Sequence, residues 1–327
     1  MRLAVTGSVA TDHLAVFPGR FTDHLLADQL DRISLSFLAD ALEVRRGGVA
    51  ANITVGLGRL GLRPLLVGAV GHDFADYDSW LVNNGVDTRA VHVSETLHTA
   101  RFMCTTDQDH NQIATFYAGA MAEARTISLS DLHDRLGPLG LVLIAPDDPE
   151  AMLRHTRESR AIGVPFAADP SQQLARLDGP QARELIDGAR YLFTNEYEAS
   201  LLVERTGLDR AEILARVGTW VCTQGAEGAD ILERARPVLH VPAVPTGAAV
   251  DPTGVGDALR AGFLAAVARG LPTERGVQLG CALATEVLES VGTQEYKIDP
   301  SRLLSRIHAA YGSVAAGDVA PLIEDLP

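Results

Sequence analysis

Asp251-Pro252-Thr253-Gly254-Val255-Gly256-Asp257-Ala258-Leu259-Arg260 is the stretch from which the fold of this chain is read. It is a glycine-rich loop running into a helix. Gly254 and Gly256 carry no Cβ, so a ligand can come close to the main chain. Ala258, Leu259, Ala261 and Phe263 to Val267 are mostly helix formers, and Gly270 with Pro272 gives a stop signal. The first N–H groups of such a helix have no intrahelical partner and favour an anion, most often a phosphate. Asp257 sits at the mouth of that site. An acid beside a phosphate cradle repels its ligand, but it makes sense as a base that takes a proton from an attacking hydroxyl. The plainer alternative is an ordinary helix start with a capping Asp.

The rest of the chain sets bounds. Its 327 residues, 46% hydrophobic and 21% charged, suit one large α/β domain or two smaller ones. A net charge of −14 argues against nucleic acid or an anionic membrane as partner, while leaving room for an anionic small molecule at a local positive site. Cys104, Cys222 and Cys281 are far apart without C-x-x-C spacing, which predicts free thiols in a reducing cytoplasm. No apolar run is long enough to span a membrane. Thr6, Gly7, Ser8 and Asp12 break the first apolar stretch, making a poor signal peptide and a good first strand. The ten histidines show no zinc-ligand spacing.

Leu3–Thr6 reads as a buried strand, which puts Ser8 and Asp12 at a site edge, although Asp12 reads equally well as a loop acid. Residues 33–45 alternate like a half-exposed strand pair outside the main sheet. Gly47-Gly48 opens a helix reaching Leu60, and Asn52 lies one turn past Gly48. Pro64–Gly71 is a strand and Asp73–Asn84 a helix. His98–Thr106 and Gln112–Tyr117 are β-rich, with Phe102 and Phe116 in their middles. Core packing is the usual role of such rings, but two of them on exposed-face strands can flank a flat ligand. A regular βαβα series follows from Leu139. Its strands are 141–145, 164–168, 191–194 and 220–223, and a hairpin over 229–241 follows. Helices over 149–162 and from Asn195 through Glu204 lie between, and others run over 273–290 and from Asp299 onward. Gly292-Thr293-Gln294 carries no independent signal.

Asn195-x-x-Glu198 is either a capping-box variant or a site pair at a helix start. Thr223-Gln224-Gly225-Ala226-Glu227-Gly228 is a glycine-rich turn after a strand. Taken in order, G-G-x-x-x-N from Gly47, N-x-x-E, T-x-G-x-x-G and D-P-T-G-V-G-D resemble the motifs of the ribokinase-like (PfkB) kinases. Most members read D-T-T-G-A-G-D-x-F, and this chain departs at Pro252, Val255 and Leu259. Within the family, Asp169-Pro170-Ser171-Gln172-Gln173-Leu174-Ala175-Arg176 and the two Phe look most like bacterial adenosine kinases.

The resemblance implies a three-layer α/β/α sandwich over residues 1–327, with a mostly parallel sheet and a small β lid inserted from about 9–47 and 94–118. It implies that Asp12 and Asn52 hold ribose hydroxyls, with Gly48 offering backbone, and that Ser8 and Ser36 line the pocket. Phe102 and Phe116 would stack on adenine while Gln172 and Gln173 read its edge. Asn195, Thr223, Gly225 and Gly228 would bind ATP, with the amides of Gly254, Val255 and Gly256 on the transferred phosphoryl group. Glu198 would serve Mg²⁺ through water, and Asp257 would be the base. A monovalent cation such as K⁺ activates some relatives, and others are homodimers joined through the lid. A sugar kinase of the same fold and a silent nucleoside sensor are the competing readings.

Overall fold

A computed structural model of the chain describes residues 1–24, 34–324 and 326. In the first half, strands β1 (Leu3–Thr6), β2 (Ala10–Val16) and β3 (Ala41–Gly47) lead into helix α1 (Val49–Arg59). Then come β4 (Leu65–Val70), α2 (Ala75–Asn83), β5 (Asp87–Val93), β6 (Ala100–Thr106), β7 (Gln112–Tyr117) and α3 (Leu129–Leu136). The second half alternates β8 (Leu141–Ile144), α4 (Pro149–Ala161), β9 (Phe166–Ala168), α5 (Gly179–Ile186) and β10 (Tyr191–Asn195). It continues with α6 (Glu196–Thr206), α7 (Arg210–Leu214), β11 (Thr219–Thr223), β12 (Ala229–Glu233) and β13 (Leu239–Val241). Three helices close it: α8 (Val255–Ala268), α9 (Thr273–Leu288) and α10 (Pro300–Ile323), the last kinked at Gly312.

Among the described residues the strands form two sheets. The larger has the order β13-β12-β11-β10-β9-β8-β1-β4-β5, parallel except at β12 and β13. Its strands alternate sides with the period of two that extended chain imposes. Leu3, Val5, Leu141, Leu143, Tyr191 and Phe193 face a core shared with α1, α8, α9 and α10. Ala4, Val142, Ile144, Leu192 and Trp220 face the opposite core with α3 to α6. Both faces are covered, as a parallel sheet requires. The chain leaves β1 toward β4 and β5 on one side and returns as β8 on the other. That topological switch puts a crevice outside the carboxyl ends of β1 and β8.

The smaller sheet has the order β3-β2-β6-β7. β2 pairs antiparallel with β3 and parallel with β6, and β6 pairs antiparallel with β7. Asp12 therefore sits on a strand rather than in a loop. The strand pair expected over 33–45 is corrected: only Ala41–Gly47 is extended, and Ile33 lies outside the described residues. The alternation there has another cause, because the Phe37 ring packs 4.9 Å from both Phe17 and Phe21 in a local aromatic cluster. β2 and β5 carry polar residues at their half-exposed positions, which hid them from a hydrophobic-pattern reading.

Helix α8 is held by glycine. A Cβ on Gly262 would lie 2.7 Å from the Gly280 Cα and N, so α8 and α9 cross backbone against backbone. Gly262→Ala is expected to cost about 1–3 kcal/mol of stability through overpacking, despite alanine's better helix propensity. Urea denaturation reads this, and an unchanged midpoint would mean that the helices part freely.

Candidate active site

The crevice at the switch point holds a cavity of about 510 Å³. Ser8, Asp12, Gly48, Asn52, Phe102, Phe116, Gln172, Gln173, Gly254 and Asp257 all line it, and they come from six separate stretches of chain. Ala10, Gly47, Val49, Met121, Pro146, Arg176, Thr253 and Thr293 complete the walls. Ser36 is exposed in the irregular run before β3 and is not brought to the cavity.

The two helix starts are built to meet there. At α1, Gly48 takes φ 94°, and a Cβ on it would lie 2.6 Å from the Ala10 N and the Ser8 carbonyl oxygen. Glycine is thus required both for the turn and for the close passage of β2. The Ser8 Oγ accepts a hydrogen bond from the Val49 N–H at 3.1 Å, so this serine caps α1 as well as lining the wall. At α8, Gly254 is the N-cap residue in the left-handed region at φ 80°, and Val255, Gly256 and Asp257 form the first turn.

Asn52 joins the two. Its Nδ2 donates to Asp257 Oδ2 at 2.8 Å. Its Oδ1 accepts from Thr293 Oγ1 at 2.9 Å and from Gln294 Nε2 at 2.8 Å. Gln294 is fully buried and accepts from Trp80 Nε1 at 3.0 Å. The 292–294 loop, silent in the sequence, therefore orients the amide that holds the acid.

Asp257 is half-buried, and burial pushes its carboxyl up to about 7. The Asn52 hydrogen bond and the Arg260 charge oppose that shift, and Asp169 adds to it. Arg260 lies on the next turn of α8. It makes a two-pronged pair with Asp169, Nε to Oδ2 at 2.5 Å and Nη2 to Oδ1 at 2.7 Å, and its Nη1 donates to the Gly256 carbonyl at 3.1 Å. Both side chains are buried. A single basic residue in a mostly apolar helix was the available signal, since a buried guanidinium needs a partner. Asp12 is also raised, by burial first, with Arg45 pulling it back.

The other expected residues lie along the same carboxyl edge, outside the cavity lining. Asn195 and Glu198 form a full capping box at α6: Asn195 Oδ1 accepts from the Glu198 N–H at 2.7 Å, and Glu198 Oε2 accepts from the Asn195 N–H at 2.8 Å. The Glu198 Oε1 accepts from Ser171 Oγ at 3.2 Å. Thr223 ends β11, and Gly225 and Gly228 bound a single turn at φ 58° and 111°. A Cβ on Gly225 would meet nothing within 4 Å, which leaves open space for a ligand. Among the described residues no three His, Cys, Asp or Glu side chains gather as a metal site, and no helix is long and apolar enough to cross a membrane. The cysteines are free and buried.

Residues 11–299 match the model of the pfkB family carbohydrate kinases. A nucleoside kinase of Methanothermobacter thermautotrophicus is 31% identical over 307 residues, covering 92% of this chain and 97% of the relative. A solved nucleoside kinase of Burkholderia thailandensis in complex with inosine superposes with a TM-score of 0.82 at 33% identity, over 95% of this chain and 98% of that one. The nucleoside kinase of Methanocaldococcus jannaschii, an archaeal member of the ribokinase family, superposes with a TM-score of 0.80 at 27% identity, over 94% and 99%. The chain has the ribokinase fold and belongs to the pfkB family of carbohydrate kinases.

Proposed function

We propose that this chain is an adenosine kinase, transferring the γ-phosphoryl group of ATP to the 5′-hydroxyl of adenosine to give AMP and ADP. The observation that carries the reading is the cavity itself, whose lining combines two rings, Phe102 and Phe116, with an acid at a helix start, Asp257. The rings are direct partners across β6 and β7 and project from one face of the small sheet, which acts as the lid. A sugar alone has no use for them. The side-chain Oε1 of Gln173 is buried without a donor, and the exocyclic amino group of adenine supplies one. The nucleoside kinases among the relatives point to the same substrate class.

Asp12 and Asn52 hold the ribose hydroxyls, which presents the 5′-oxygen to Asp257. Asp257 takes that proton as the oxygen attacks the γ-phosphorus in line and ADP leaves. Charge on the transferred group is met by the amides of Gly254 to Asp257, so positioning and preorganised donors carry the rate. Asn195, Thr223, Gly225 and Gly228 border the nucleotide along the carboxyl edge. Both oxygens of Glu198 already accept hydrogen bonds, a donor set that fits Mg²⁺ held mainly by phosphates and water, with Glu198 reached through a water. Bound there, the ion would neutralise phosphate charge.

Release of ADP with Mg²⁺-ATP, measured against adenosine, inosine, guanosine and ribose, tests the assignment. Adenosine should lead, and Phe102→Ala and Phe116→Ala should each raise its KM about tenfold or more, in line with ~1–3 kcal/mol for base stacking. Turnover led by ribose would discard the role of the rings and leave a sugar kinase. No turnover, in protein that binds ATP, would leave a sensor.

Asp257→Asn should lower kcat about 100-fold or more while nucleoside binding persists. The same substitution has a stability signature. The folded protein holds the Asp257 proton more tightly than the unfolded chain does, where the carboxyl titrates near ~3.9. The wild type therefore loses stability as pH rises toward about 7 and then levels off. Asp257→Asn escapes that loss, so its melting temperature should exceed that of the wild type by a margin that grows from pH 5 to 8. An equal margin at every pH would mean that burial does not perturb the acid.

The outer side of the lid carries exposed Leu42, Val44, Met103 and Ile113, an apolar face suited to pairing two copies. Light scattering should give a dimer mass for the wild type and a monomer mass for Val44→Glu. A monomeric wild type would remove the dimer.

A further inference from the structure

The register of the small sheet puts four residues in one lateral row: Arg45 on β3, Asp12 on β2, Phe102 on β6 and Phe116 on β7. Residues paired directly across strands share a face. Three of the four line the cavity, and the fourth, Arg45, reaches past its rim to the large domain. Its Nε and Nη2 each donate to Glu43 at 2.7 Å, and its Nη1 donates to Asp251 Oδ2 at 3.4 Å. The Arg45 and Asp251 side chains are each 19% exposed, so the contact is largely withdrawn from water.

Asp251 is not a free surface acid. Its Oδ1 accepts from the Thr253 N–H at 2.9 Å, and its Oδ2 accepts from the Gly292 N–H at 3.1 Å. Those two amides belong to the two loops that set Asp257: the 251–257 run into α8, and the 292–294 loop that orients Asn52. A Cβ on Gly292 would lie 2.5 Å from Glu295 Oε2 and 3.5 Å from Arg45 Cδ, so the Arg45 stem lies against the second loop as well. Asp12, Glu43, Asp251 and Glu295 thus face Arg45 from four separate segments.

A phosphoryl donor brings several negative charges to the amides of Gly254 to Asp257. The Asp251 carboxylate, at the head of that loop, opposes their approach unless a cation offsets it. Arginine suits the task, because its planar fork can engage two carboxylates at once. We infer that Arg45 is a positioning residue that ties the lid sheet to the anion-holding loop, so that the loop amides are set for the phosphoryl donor when the lid lies over the cavity. This rests on the phosphoryl-transfer reading above.

The test compares the full-length wild type with Arg45→Met, which keeps much of the stem without the charge, and with Arg45→Lys, which keeps the charge without the fork. Amide hydrogen exchange of the ligand-free protein comes first, because it does not depend on turnover. Peptides over 251–257 and 290–295 should exchange about fivefold faster in Arg45→Met, with the body of α9 unchanged. With nucleoside saturating, kcat/KM for ATP should fall about tenfold in Arg45→Met and recover to within about threefold of wild type in Arg45→Lys, while the nucleoside Kd stays within about twofold. Unchanged exchange would overturn the tie. Nucleoside affinity falling in step with kcat/KM would overturn it too, because Arg45 would then act through Asp12. If exchange quickens as expected but the wild type transfers no phosphoryl group, the tie stands and the kinase reading fails.

Discussion

One hydrogen bond, from Asn52 Nδ2 to Asp257 Oδ2, fixes the geometry on which the site depends. It joins the first helix to the eighth across 205 residues of chain. The bond has a direction only because the other end of the amide is occupied. Thr293 and Gln294 both donate to Asn52 Oδ1, which leaves Nδ2 for the acid. Gln294 is held in turn by Trp80 of α2, and Arg59 of α1 donates to its backbone carbonyl at 2.7 Å. The acid is thus aimed by a closed network rather than by its own rotamer, and such networks act as units.

The same region explains how an acid one turn from an arginine can keep a raised pKa. Net charge acts at long range, whereas the cavity responds to groups within a few ångströms. Arg260 stands one turn from Asp257, and its pull would normally hold a carboxyl well down. Asp169 takes up much of that charge by engaging two of its nitrogens. Burial then prevails, and the carboxyl settles near neutrality. A base works best when its pKa lies close to the pH at which it operates. The ion pair beneath Asp257 therefore reads as a means of moderating a positive charge rather than of supplying one.

What was legible in the sequence was whatever depends on near neighbours. Strands β1, β7 and β13 end where they were expected, at Thr6, Tyr117 and Val241, and Asp257, Asn52 and Gly48 announce themselves through glycine and helix starts. What was hidden depends on partners far along the chain. Thr293 and Gln294 look like any polar loop until Asn52 is placed against them. Arg45 looks like an exposed strand residue until Asp251 arrives from 206 positions away. Ser36 shows the converse failure. Its neighbours alternate like a strand, but Phe37 is drawn into a cluster with Phe17 and Phe21, and no strand forms. Periodicity records which side chains are buried, not what buries them.

Asn195 and Glu198 show why a structural reading and a functional one need not compete. The capping box uses Asn195 Oδ1 and one Glu198 oxygen to satisfy backbone donors at the start of α6. The other Glu198 oxygen points to Ser171, in the segment that also carries Gln172 and Gln173 to the cavity. One bond from the Asn195 N–H and one from the Ser171 hydroxyl hold the Glu198 carboxylate in a single arrangement at the start of α6. Ser8 follows the same logic at α1, capping the helix from the wall of the cavity. Along the carboxyl edge of this sheet, Ser8 closes a helix end and lines the cavity, and the Asn195–Glu198 box closes another beside the segment that reaches it. A search for function at helix starts in this fold therefore gains little by setting the caps aside.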